Sequence, residues 1–492
     1  MTRGRRLLAV AAAGALVLAA CGDSDDDSAD TEAPAETEAP VETEAPAETD
    51  APAETDAPAE TDAPAETDAP VETEAPVETE APEEPSGTEF VIGTDDCEDP
   101  DAAVAPLDGD TIKIGMSIPL SGGPAVLFAP IAEGANAYIE YFNSEFGGVD
   151  GTPLELIVKD DQYTADLTVA NVEELVFDDE VDLISTIVGT PNNIAVQADL
   201  NAQCIPHLWA STGASEWGAI EEYPWTSGLL VSYDVESMVW ADFAASDGAE
   251  TAGLFYANNE FGLAYADAFK EAAAELGIEI VAEETIDPAD SGAPSGQMTN
   301  LVEADPDTIL AVPLGAQCIA FMTELGNAKA ANPDFDPSVY QTATCANAIF
   351  FGAVGNGGAD GVYTSANIKD LSNPDVLEND PAVQDYVNAL AAIGAETDPA
   401  NTTAIAAWLS MDLVAHSLME AAEAGDLSRA GVMNAVRNID YETGMFRDGC
   451  KALMNAEDAF VGECTQVQSW NGTGFVDEGQ LYDLEGVMGV TG

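Results

Sequence analysis

Seven cysteines and two histidines are the residues of this chain with the widest chemical reach. His207 and His416 are far apart, and neither sits in a motif that would activate a cysteine, which needs a base within hydrogen-bond reach. Zinc fits no better, for the sequence has no CxxC and no HxxxH spacing. No G-x-S-x-G elbow, P-loop or glycine-rich nucleotide fingerprint is present. Cys21 ends an apolar run from Leu7 to Ala20 that follows Arg3, Arg5 and Arg6, the layout of an export signal. The other six cysteines are Cys97, Cys204, Cys318, Cys345, Cys450 and Cys464. An even number in an exported chain suggests disulfides. Cys450 and Cys464 flank one short loop, and Cys318 and Cys345 each follow a predicted strand. Cys97 with Cys204 is then the pair left by elimination. We expect no catalytic residue, no metal and no cofactor.

The chain carries 92 acidic against 12 basic residues, a net charge of -80. No basic patch can neutralise phosphates, so nucleic acid is excluded as a partner. The acids are scattered and show no EF-hand spacing, which reads as a strongly solvated surface. From Ala29 to about Pro85 a six-residue unit, Ala-Pro-Ala-Glu-Thr-Asp, recurs with variants. Proline at that spacing forbids a continuous helix, and dense like charge without bulky apolar residues forbids a core. Residues 22–90 are therefore expected to be a disordered acidic tether. In polyproline-like form it would reach on the order of 150 Å or more. Leu18-Ala19-Ala20-Cys21 resembles the bacterial lipobox, whose cysteine is acylated after cleavage. That resemblance implies a signal peptide over 1–21, lipidation at Cys21, and an extracytoplasmic protein held to the cell membrane by its lipid alone.

From Thr111 strands and helices alternate. Ile112–Ile118, Leu154–Val158, Leu183–Val188 and Pro206–Ala210 read as strands. Between them, Pro130–Phe146, Ala165–Phe177 and Asn193–Asn201 read as helices, from apolar spacing and glycine stops. This β-α-β alternation argues parallel sheets covered on both faces, an α/β fold. A second series starts near Asp234. It has helices at Val235–Ala245, Tyr265–Leu276 and Cys318–Ala330, and strands at Ala252–Ala257, Glu279–Thr285, Thr308–Val312 and Ser338–Thr342. Helices return at Pro381–Ile393, Thr402–Ala422 and Ser428–Val436. Roughly 400 folded residues are too many for one ordinary core, so two are expected.

Several motifs in order carry a resemblance. They are Ile114-Gly115-Met116-Ser117-Ile118-Pro119-Leu120-Ser121-Gly122, then Asn143-Ser144-Glu145-Phe146-Gly147-Gly148-Val149-Asp150-Gly151, Lys159-Asp160-Asp161-Gln162, and Asn259-Glu260-Phe261-Gly262. From about Asp110 onward the chain resembles the extracytoplasmic solute-binding proteins of ABC importers, of the leucine/isoleucine/valine-binding type. The resemblance implies the type I periplasmic-binding-protein fold: two Rossmann-like lobes with parallel-sheet cores, joined by three crossovers. Lobe 1 would be 110–231 with 365–447, and lobe 2 would be 232–364 with 448–492. The crossovers would fall near Val231-Ser232-Tyr233, Thr364-Ser365-Ala366 and Arg447-Asp448.

By the same resemblance, a small polar organic solute (an amino acid, amide or aromatic carboxylate) binds between the lobes. Ser121, Thr190, Asn192, Asn193, Gly213, Ala214 and Ser215 would hold its polar head, from three lobe 1 loops. Neutral hydroxyls and amides can do so without burying an unpaired protein charge. Phe128, Tyr233, Phe261 and Trp408 would wall its body. The amino-acid binders place an acid after the strand that here ends at Thr342, but this chain reads Ala343-Thr344-Cys345-Ala346-Asn347-Ala348. The implied partners are the ABC permease and ATPase subunits, and the implied state is a monomer that is not an enzyme. The alternative on the same fold is a ligand-sensing module acting with a separate signalling partner.

Overall fold

The structure is a computed structural model and describes residues 89–484 apart from residues 291, 457 and 480. Cys21, the signal segment 1–21 and the acidic segment through residue 88 lie outside the described residues.

Five parallel strands form the first sheet, in the order β2-β1-β3-β4-β5. They are β1 Ile112–Ile118, β2 Leu154–Asp160, β3 Leu183–Ser185, β4 His207–Ala210 and β5 Thr226–Gly228. The sheet is short and apolar because both faces are covered. Leu183 faces one core with Ile114, Met116 and Tyr138, and its neighbour Ile184 faces another with Leu175, Val196 and Leu200.

The second sheet collects β6 Thr251–Ala257, β7 Glu279–Ile286, β8 Thr308–Val312, β9 Ser338–Gln341 and β10 Tyr363–Ala366. After the small ribbon of β11 Asp440–Tyr441 and β12 Ala452–Leu453, it is extended by β13 Cys464–Trp470, β14 Phe475–Asp477 and β15 Tyr482–Asp483. Its order is β14-β13-β10-β9-β8-β6-β7, with β15 beside β13. β6 to β10 run parallel, while β13 is antiparallel to β10.

The chain passes from the first sheet to the second after β5, returns after β10, and passes again before β13. Thr364–Ala366, expected at the second crossing, lie inside β10, where they pair with Gln466–Gln468 of β13. The return follows at once. Ile368 bridges Phe446, the Lys369 N–H donates to Met445 O at 3.0 Å, and the Arg447 N–H donates to Asn367 O at 2.9 Å. The second and third crossings are thus zipped into one ribbon. The helices Pro381–Ile393 and Thr402–Glu423 that follow the return pack on Pro130–Phe146, under the first sheet.

The N-terminal end of the described chain is fastened to this same lobe. The Phe90 and Ile92 N–H groups donate to Asn438 Oδ1 and Asn434 Oδ1, each at 2.7 Å. The Cys97–Cys204 disulfide adds a covalent tie. Cys318–Cys345 and Cys450–Cys464 are also bonded.

Helices Pro130–Phe146 and Thr402–Glu423 approach each other closely at Gly134. A Cβ there would lie 2.1 Å from Ala404 O, a backbone atom that cannot step aside. Gly134→Ala should therefore destabilise by about 1–3 kcal/mol through overpacking, although alanine is the better helix former. Urea unfolding checks this, and an unchanged midpoint would mean the helices can separate freely.

Candidate functional site

Several expected boundaries move, and the shifts decide which side chains reach the cleft. β3 stops at Ser185 because Thr186 takes a left-handed φ of 59°. Gly189, with φ 99°, then starts a helix at Thr190, three residues earlier than expected. Thr190–Asn193 are thus the first helical turn and not an open loop. Their side chains turn into the lobe. Thr190 Oγ1 shares a 2.6 Å hydrogen bond with Thr212 Oγ1. The Asn192 amide donates to Val188 O at 2.9 Å, and Asn193 donates to Ile187 O and Gly189 O. Asn193 Oδ1 meets His207 Nε2 at 2.8 Å. Because both Asn193 N–H groups are spent, its oxygen must accept, so His207 carries its proton on Nε2. Burial pushes the His207 pKa down to about 3.

The cavity between the lobes has a volume of ≈ 120 Å³. An apolar cavity of ~150 Å³ suffices for benzene, so its occupant is about one ring or one branched aliphatic group in size. From lobe 1 it is lined by Phe128, Tyr163, Thr186, Gly189 and Ser211, and by Thr402 and Thr403 of the returning helix. From lobe 2 come Tyr233, Glu236, Phe261, Tyr265, Ala343 and Asn347. Val231, Ala366, Asn367 and Ile368 of the crossings line it too. Direct contacts close the cleft: the Thr402 hydroxyl donates to Ala346 O at 2.8 Å, and Pro124 lies against Gly315.

Of the expected ligand residues, Phe128, Tyr233 and Phe261 are brought together here. Phe128 stacks on Tyr163 at 6.1 Å, while Tyr233 meets Phe261 edge-on at 5.5 Å. Phe261 reaches the cavity because Asn259 caps its helix, accepting from the Gly262 N–H at 3.2 Å. Gly262 permits a close approach, for a Cβ there would lie 1.9 Å from Ala257 O. Gly213 is buried beside the site, and its absent Cβ leaves room for Val231 O and the Tyr233 ring. Ala214 is buried and Ser215 is exposed on a short 3-10 turn. Ser121 is exposed and donates to Asp160 Oδ2 at 2.6 Å. None of Ser121, Thr190, Asn192, Asn193, Gly213, Ala214 and Ser215 lines the cavity. Trp408 also points elsewhere, packing edge-on against Tyr138 at 4.9 Å, on the far side of lobe 1.

Sequence reasoning missed Glu236. It is 2 % exposed, on the first turn of the Tyr233–Ser246 helix. One oxygen accepts from Tyr340 Oη and from the Ala343 N–H, each at 2.7 Å, and the other from Tyr265 Oη at 2.7 Å. The acid absent from the loop after β9 is thus delivered to that loop by another element. Burial raises its pKa, and the three donors partly offset the rise. Among the described residues, Glu236 is the only Asp or Glu on the cavity wall, and no Lys, Arg or His lines it. The one signal was its place three residues after Tyr233, itself at the first crossing. Cys318–Cys345 pins the same loop to the start of the Gln317–Ala331 helix.

The family described as "Periplasmic binding protein" matches residues 111–474. Solved structures share the fold. A branched chain amino acid ABC transporter protein from Thermus thermophilus, with bound valine, superposes with TM-score 0.68 at 15% identity, covering 76% of this chain and 96% of that one. A possible leucine/isoleucine/valine-binding protein from Rhodopirellula baltica gives 0.65 at 18% identity, covering 76% and 98%. A solute binding protein from Rhodopseudomonas palustris BisB5, in complex with 3,4-dihydroxy benzoic acid, gives 0.63 at 20% identity, also covering 76% and 98%. No curated protein matches the chain.

Proposed function

This chain belongs to the periplasmic binding protein family, and from that premise we propose that it captures one small organic solute between its lobes for delivery to an ABC permease. The observation that carries the reading is the cavity walled by both lobes and by the crossings that join them. Phe128, Tyr163, Tyr233 and Phe261 suit an apolar body, aromatic or branched. Glu236 suits a head group with N–H donors, an ammonium or an amide, because it is the sole ionisable carboxyl there and has no basic partner on the cavity wall. A ligand carboxylate would meet like charge at that end. Acylation at Cys21 would keep the protein at the membrane, outside the cell.

The test is a thermal-shift screen with leucine, valine, benzamide, benzoate and 4-hydroxybenzoate. A ligand at 100 times its Kd stabilises by ~2.7 kcal/mol. At least one ammonium or amide compound should raise the melting temperature saturably, and the benzoates should not. Response to the benzoates alone would overturn the head-group assignment. Response to none of these, nor to a wider solute panel, would overturn capture.

A further inference from the structure

On the outer side of lobe 1 lies a second cavity, of ≈ 300 Å³, which the cleft does not use. Its walls are aromatic. Trp408 meets Tyr138 at 4.9 Å and Tyr141 at 5.2 Å between ring centroids, at interplanar angles of 79° and 42°. Tyr441 closes another side, its ring held flat against His416 at 3.9 Å. Carboxylates sit among these rings. Asp412 accepts from Tyr138 Oη at 2.8 Å and from Tyr441 Oη at 3.2 Å, and Asp385 at the exposed rim accepts from Tyr141 Oη at 3.3 Å.

Neither acid is paired with a Lys or Arg; the basic side chain beside Asp412 is His416, whose ring is stacked on Tyr441. The ion pairs among the described residues use Lys159, Lys270, Lys329, Lys369, Arg447 and Lys451, all with other acids. Among the described residues, no Lys or Arg lines the cavity. Tyr138, Tyr141, Trp408 and Tyr441 line the cavity beside the two carboxylates. A π face attracts positive charge, most strongly where the cation is already poorly hydrated. The carboxylates exclude an anion. A bare metal ion does not fit either, because no group of three His, Cys, Asp or Glu side chains among the described residues converges to hold one. The volume falls at the lower end of small-molecule sites.

We propose that this cavity is a second binding site, for a small organic cation with alkyl groups on its nitrogen, a tertiary or quaternary ammonium. The rings of Trp408, Tyr138, Tyr141 and Tyr441 take its alkyl shell, and Asp412 and Asp385 supply the counter-charge. The strongly acidic chain favours the encounter, more so at low salt.

The probes are tetramethylammonium chloride and choline chloride, titrated calorimetrically into the full chain against matched sodium chloride. Saturable one-to-one binding is expected, with no such response to sodium. Asp412→Asn should weaken it at least tenfold, and Tyr141→Leu at least threefold. Glu236→Gln, in the cleft, should leave it unchanged. If Asp412→Asn fails to fold, Asp385→Asn combined with Tyr141→Leu should weaken binding at least tenfold and decides the matter. Absence of saturable binding overturns the proposal. So does binding that ignores the cavity substitutions, or that is lost in Glu236→Gln. A lysine-rich peptide that binds where tetramethylammonium does not would assign the cavity to a protein partner and also overturn it.

Discussion

Phe261→Ala should weaken ligand capture by about tenfold to a hundredfold, or ~1.4–2.8 kcal/mol. The ring is buried and stands edge-on to both Tyr233 and Tyr265, at 5.5 and 5.6 Å. An aromatic side chain buries about 150–250 Å². Its removal opens the lobe 2 wall of a cavity whose volume is only ≈ 120 Å³. Water then competes where the solute's apolar body should lie. Phe261→Leu, which keeps most of the volume, should retain most of the affinity. The measurement is calorimetric titration with the best compound from the thermal-shift screen, beside a melting curve without ligand to separate folding from binding. If both variants bind like the parent, the solute does not touch this wall.

The second large effect is on acid stability. His207 is fully buried, neutral and committed as a donor to Asn193. Its folded pKa, about 3, lies below the unfolded value of 6.5. The folded state therefore binds fewer protons than the unfolded state as the pH drops. The stability this site contributes is whole above about pH 6.5 and is lost on acidification toward pH 3, by about 1.4 kcal/mol for each pH unit. Other groups push the opposite way. Glu236 and Asp161 have raised pKa values, chiefly from burial, so their protonation relieves a cost as the pH falls. The comparison that isolates His207 is His207→Gln, whose amide can still donate to Asn193 without titrating. Urea unfolding from pH 7 to pH 4 should show the parent losing stability relative to this variant. Parallel profiles would mean that His207 becomes charged without cost.

How much of this was legible in the sequence depends on which physics set each feature. Periodicity governs long amphipathic helices, and Pro130–Phe146, Ala165–Phe177 and Pro381–Ile393 fall where the apolar spacing puts them, as does the short apolar strand Thr308–Val312. β13 was not read at all. Its residues Thr465, Gln466 and Gln468 are polar yet buried, because the strand is covered on both sides, the Gln466 amide donates to backbone carbonyls, and Gln468 accepts from Arg447. The helix Ser295–Ala304 was missed too, since only Met298 and Leu301 mark its buried face. Phe261, next to Gly262 of a motif, could be singled out from the sequence, and it lines the cavity. For Thr190, Asn192 and Asn193, the early start of a helix at Thr190 sets where the side chains go, and that start was not readable from spacing. Glu236 was invisible because its role comes from a contact 107 positions away, with Ala343. Nothing in local spacing encodes that distance.

The fastening of the described chain's first residues has a mechanical side. Phe90 and Ile92 are bonded to the end of the Arg429–Arg437 helix, and Cys97 is joined to Cys204 just past the Thr190–Ala202 helix. Every one of these attachments is to the lobe built on β1 to β5. Tension applied at residue 89 would first load the paired hydrogen bonds between Phe90 and Asn438, then the one from Ile92 to Asn434, and would then stop at a covalent bond. The load ends in lobe 1 and never crosses to the lobe that carries Phe261 and Glu236. A pull on the start of the described chain is thus borne by one side of the cleft alone.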